Sequence, residues 1–255
     1  MSRIQVITLD KNLMKSASTF VIILGMHRSG TSCLTGCLQQ GGVFLGEVIE
    51  SAPHNKKGNR EKKEIMSLNE SVLEYSGGSW DSPPDKVIWN NEHELERERI
   101  MNVLFSKHQL CGFKDPRTVI TLPFWQEKNI KYIASYRHPL LVAASLNARN
   151  NKISISDGLL LWKAYNTKLL SYWKKHQFPL LSFNVDKEKY LLDLEKSFGY
   201  LNIDKNRIKH INFFDTSLKN QKNTISHDIP EDVMFLYEKM NNIYRNQTNL
   251  RNNEA

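Results

Sequence analysis

Apolar residues along the chain fall into two kinds of run. Short stretches rich in β-branched and aromatic residues, Phe20 to Leu24 (FVIIL), Lys131 to Tyr136 (KYIASY), Pro179 to Phe183 (PLLSF) and the shorter Leu110 to Phe113, have the length and content of buried strands. Between them lie segments of helical period: Thr31 to Gln40, Arg60 to Tyr75, Glu92 to Lys107, Leu140 to Asn150 and Ser156 to Lys175. In the last of these, Leu159, Trp162, Tyr165, Leu169 and Trp173 recur every three or four residues, which places them on one apolar stripe facing a core. Strands alternating with helices predict an α/β fold of three layers, with a central, mainly parallel sheet flanked by helices. Pro139 suits a first helical position, where its missing N–H is not needed. The run Asp81-Ser82-Pro83-Pro84-Asp85 breaks the pattern as a turn. A final helix is expected between Glu231 and Met240, with a frayed Asn-rich tail from Asn241 onward and a flexible polar stretch over 1–18.

A chain of 255 residues with 40% hydrophobic content can bury one full core, so a single domain over 1–255 is expected. The formal net charge of +8 attracts anions, which suits a polyanionic ligand but equally nucleic acid or an anionic membrane. A nucleic-acid module, the alternative of another class, would interleave a basic stripe with exposed aromatics. Here the aromatics fall mostly on apolar helix stripes, so no nucleic-acid partner is expected. The three cysteines Cys33, Cys37 and Cys111 form no CxxC pair and have no histidine at ligand spacing, so neither a disulfide framework nor a metal is expected. The apolar run Phe20 to Leu24 falls far short of the roughly 20 residues of a membrane span. A cytoplasmic protein without a membrane anchor is the expectation.

Chemistry enters at Gly25-Met26-His27-Arg28-Ser29-Gly30-Thr31-Ser32, directly after the strand FVIIL and opening into the helix TSCLTGCLQQ. Strand, glycine-framed loop and helix N-terminus aim backbone N–H groups and a helix dipole at a phosphate. The spacing is that of G-x-x-x-x-G-K-[ST] with Thr31 in place of the lysine and Arg28 offered from within the loop, which argues against a triphosphate-hydrolysing site. A nucleotide or small-molecule kinase is therefore the alternative reading, with Asp186 after PLLSFNV as a weak candidate for its magnesium-binding Asp. The string ILGMHRSGTSCLTGCL resembles the 5′-phosphosulfate loop of sulfotransferases, which implies that His27, Arg28, Ser29, Gly30, Thr31 and Ser32 bind the 5′ end of 3′-phosphoadenosine 5′-phosphosulfate (PAPS).

A second anion site follows the strand KYIASY. Arg137 would lie at that strand's carboxyl end, where open α/β sheets bind ligands, and Ser145 falls eight residues later in the next helix. Arg-His-Pro-Leu-Leu-Val-Ala-Ala-Ser-Leu is similar to the 3′-phosphate site of the same family, and guanidinium plus hydroxyl suits a terminal phosphate dianion. In Gly112-Phe113-Lys114-Asp115-Pro116-Arg117 the resemblance makes Lys114 the cation on the bridging oxygen. The cytosolic aryl and steroid enzymes carry a histidine two residues beyond that lysine. Here that position is Pro116, so another base is implied. Two glutamates are candidates. Glu61 ends Asn55-Lys56-Lys57-Gly58-Asn59-Arg60-Glu61, similar to the Asn-Pro-Lys-Gly-Tyr-Trp/Phe-Glu motif of bacterial sulfotransferases, with Lys56 for Pro and Asn59-Arg60 for the aromatic pair. Glu47, nineteen residues after Arg28, is placed more like the glutamate of the carbohydrate and tyrosine enzymes. Phe213 to Lys219 resembles a C-terminal family string, which implies that Lys219 closes over the 3′-phosphate. The acceptor class the resemblance implies is a hydroxyl, or an amine, on a small molecule or glycan.

Overall fold

The computed structural model describes residues 19–52, 55, 57–105, 108–127, 129–149, 152–215 and 227–250. Lys219 and the stretches 1–18 and 251–255 lie outside these residues. Four strands, β1 (Thr19–Leu24), β2 (Leu110–Lys114), β3 (Ile130–Tyr136) and β4 (Leu180–Ser182), form one parallel sheet in the order β2-β1-β3-β4. The alternation of β1 explains the layers. Phe20, Ile22 and Leu24 enter one apolar cluster, whereas Val21 and Ile23 enter another on the opposite face. Both faces are covered, as an all-parallel sheet requires.

On the Val21 side pack α1 (Thr31–Gln40) and α7 (Lys187–Leu201), through Leu34, Leu38, Tyr190, Leu194 and Phe198. The opposite side is built from α2 (Lys63–Tyr75), α3 (Asn91–Phe105), α4 (Thr118–Trp125), α5 (Pro139–Arg149), α6 (Ile155–His176) and α8 (Glu231–Leu250). The stripe on α6 does face the core: Leu159, Trp162, Tyr165 and Leu169 are buried there, with Trp173 packed against it.

Three features differ from the sequence reading. Helix α4 has no polar face: seven of its residues, TVITL and Phe124-Trp125, are buried, so it carries no amphipathic period to read. Helix α7 begins at Asp186, whose carboxylate accepts the Lys189 N–H at 2.8 Å. That carboxylate, the kinase alternative's magnesium candidate, serves as a helix cap. Helix α8 runs on to Leu250, through the Asn-rich stretch expected to fray. It is held there by polar contacts: Tyr136 donates to Asn241 Oδ1 at 2.8 Å, and Gln247 donates to the Phe178 carbonyl at 3.0 Å while accepting from Leu180 N at 3.1 Å. At the other margin of the sheet, Phe44 bonds β2 in parallel, donating to Leu110 O at 3.0 Å and accepting from Gly112 N at 2.9 Å. Among the described residues no helix is long and apolar enough to cross a membrane.

Candidate active site

The chain passes from β1 to β2 on one side and then back across to β3 on the other side of β1, so a crevice opens at the carboxyl ends of these three strands. A cleft of about 1120 Å³, open mouth included, occupies it. His27, Arg28, Gly30, Thr31, Ser32, Glu61, Lys114 and Arg137 all line this one cleft.

The loop after β1 is shaped by two left-handed residues, Arg28 (φ 66°) and Gly30 (φ 85°). Gly30 cannot be replaced without displacement, because a Cβ there would sit 2.3 Å from the Phe183 ring as well as in an unfavourable conformation. Ser135 of β3 pins the loop by donating to the Ser29 carbonyl at 2.6 Å. No side chain caps the first turn of α1, so its leading N–H groups are open to an anion. Ser29 Oγ is buried without a hydrogen-bond partner among the described residues.

Arg28, which the sequence reading gave to the 5′ end, reaches across to α5. Its Nε donates to Ser145 Oγ of α5 at 2.7 Å, and Arg137 Nη1 lies 3.4 Å from the Arg28 carbonyl. Arg28, Arg137 and Ser145 are thus one cluster on the β3–α5 side. Arg137 is held by Trp162, which donates to its carbonyl at 3.0 Å, and lies over the Phe183 ring. Burial, then the neighbouring Arg28 charge, lowers the Arg137 pKa to about 10, which leaves it protonated at neutral pH. Burial followed by the charges of Arg117, Lys114, Arg149 and Arg28 holds His27 well below the usual imidazole range, so it is neutral.

On the β2 side Lys114 is 1% exposed and donates to Glu61 Oε1 at 2.6 Å, with Ser32 Oγ at 3.4 Å. Glu61 is fixed from outside by Ile49, whose N–H donates to the Glu61 carbonyl at 2.9 Å and whose carbonyl accepts from Arg60 at 3.0 Å. Glu47 follows the left-handed Gly46, is exposed, and does not line the cleft. Its neighbour Leu45 takes the buried position in that turn.

The turn carrying Lys114 hangs on Asn69 of α2, fully buried and bonded at both ends of its amide. It donates to Asp115 Oδ2 at 2.9 Å and Thr118 Oγ1 at 3.0 Å, and accepts from Thr121 at 2.6 Å and Trp125 Nε1 at 2.7 Å. Asp115 in turn holds Arg117 at 3.0 Å, which also reaches Glu70 at 2.6 Å. Asn69→Leu strands these buried partners, and a destabilisation of about 3 kcal/mol is expected by urea unfolding. A change under about 1 kcal/mol would mean that water or rearrangement can replace the hub.

Several cleft residues escaped the sequence reading. Lys57 donates to the Phe213 carbonyl at 2.8 Å and pairs with Asp215 at 3.5 Å, joining the loop that carries Glu61 to the segment before Lys219. Phe183 and Phe213 add ring faces to the wall. Arg149 lines the cleft from the last turn of α5; its signal was the four-residue spacing from Ser145, one helical turn.

No protein-family model matches the chain, and no curated protein matches it at a significant level. Among solved structures, the sulfotransferase domain from the Synechococcus PCC 7002 olefin synthase is similar, with a TM-score of 0.56 at 15% identity over 89% of this chain and 97% of that one. The chain has the fold of a sulfotransferase domain.

Proposed function

We propose that the protein transfers a sulfuryl group from PAPS to the hydroxyl of a small-molecule or glycan acceptor. The observation that carries this reading is that Arg137 with Arg28, the open N-terminus of α1, and the Lys114–Glu61 pair all line one cleft. A nucleotide phosphorylated at both ends has that charge layout. The unpaired Ser29 Oγ and the uncapped first turn of α1 suit the 5′ group, the arginine cluster at Ser145 suits the 3′-phosphate, and Phe183 and Phe213 offer faces for the purine.

PAPS supplies the sulfuryl group when bound. As the acceptor oxygen bonds to sulfur, the bond from sulfur to the 5′-phosphate oxygen breaks and negative charge moves onto that oxygen. Lys114 meets this charge, and Glu61 takes the proton from the acceptor hydroxyl. Positioning and a cation carry such an in-line displacement, as in phosphoryl transfer. Incubating the protein with labelled PAPS and extract fractions, then identifying the labelled product by mass spectrometry, tests the activity and names the acceptor. ATP turnover with magnesium instead would restore the kinase reading.

Arg137→Ala should weaken 3′-phosphoadenosine 5′-phosphate (PAP) by roughly 2 kcal/mol or more, as the loss of a charged hydrogen bond does. Calorimetry measures this, and unaltered affinity would remove Arg137 from the nucleotide site.

A further inference from the structure

Three guanidinium groups crowd the β3–α5 side of the cleft, and the reading above uses two. The third, Arg149, stands one turn beyond Ser145 on α5 and is exposed apart from its edge on the cleft. Its charge reaches inward: after burial it is the next cause that lowers the Arg28 pKa, and it also acts on His27.

The other cleft cations have counter-ions. Lys114 has Glu61, Arg117 has Asp115 and Glu70, and Lys57 has Asp215. Among the described residues no carboxylate pairs with Arg28, Arg137 or Arg149. Three like charges gathered without a counter-ion repel one another until a polyanion binds between them.

The two inner arginines are tethered, Arg28 to Ser145 and Arg137 through its backbone to Trp162 and over Phe183. A terminal phosphate carries nearly two charges and three acceptor oxygens, and one donor of the inner pair, Arg28 Nε, is already given to Ser145. Arg149 offers a third guanidinium at the rim of the same cleft.

We infer that Arg149 reads the 3′-phosphate, so that the site distinguishes a nucleotide phosphorylated at 3′ from one with a free 3′-hydroxyl. This rests on the sulfotransfer reading and adds a specificity residue to it.

The test compares PAP with adenosine 5′-phosphate, which lacks only the 3′-phosphate, on the full chain by calorimetry. Arg149→Ala should weaken PAP by about tenfold and adenosine 5′-phosphate by no more than about twofold. Arg149→Lys should recover part of the loss by restoring charge without the planar fork. Because Arg149 is exposed, both variants should keep the melting temperature of the unaltered protein. Equal losses for the two nucleotides would put Arg149 at the 5′ end and overturn the inference. No loss for either would make it a solvated surface residue, and overturn it too. Failure of the unaltered protein to prefer PAP over adenosine 5′-phosphate would instead sink the sulfotransfer reading itself.

Discussion

Glu61→Gln should bind PAP more tightly than the unaltered protein, by about tenfold, while its transfer rate falls by a factor of about 10² to 10⁴. The two effects have one cause. With Lys114 Nζ 2.6 Å from Glu61 Oε1 and both side chains buried, the cation that the proposal gives to the donor is already engaged. An arriving phosphosulfate must compete with the carboxylate for it. Glutamine removes the competing charge and, with it, the proton acceptor. Calorimetry with PAP and an initial-rate assay read the two effects separately. Lost turnover with unaltered PAP affinity would show that the pair does not compete with the donor. Unaltered turnover would move the base elsewhere.

Lys114→Met is expected to lower transfer by about 10³, the scale for losing a charge-stabilising group. It should also destabilise the protein without ligand by about 3–5 kcal/mol, because a buried carboxylate is left without its cation. The double variant Lys114→Met/Glu61→Gln separates these consequences. It should regain most of the stability, since neither charge remains, and none of the activity. A double variant as unstable as the single one would show that packing around Lys114, rather than the ion pair, sets the stability. Thermal unfolding of the three proteins decides between them.

How much of this could be read from the sequence depended on whether a feature is local. The loop from Gly25 to Ser32 is contiguous and flanked by a clear strand and helix, so its geometry followed from its residues. Lys114 and Arg137 end strands, and in a parallel sheet strand ends converge on one crevice. The sequence favoured Glu61 over Glu47 by motif alone, because both lie in the connection after α1. The choice turns on two backbone hydrogen bonds between Ile49 and Arg60-Glu61 that have no compositional mark. The contact between Arg28 and Ser145 was not legible for a related reason: the two residues are 117 positions apart. Helix α4 was missed because an apolar segment buried all round carries no period, and Pro123 within it reads as a breaker. The end of α8 was misread because Asn241 and Gln247 dock by hydrogen bonding, which hydropathy scores as solvent-facing.

The amide of Gln247 against β4 and the backbone of Phe44 against β2 do for this sheet what additional strands would otherwise do. Among the described residues each flank is partly covered by a group that is not itself part of a strand, which leaves fewer free positions for a foreign segment to pair with. A chain cut short before Gln247 would uncover one flank and become prone to self-association while its catalytic groups stayed in place.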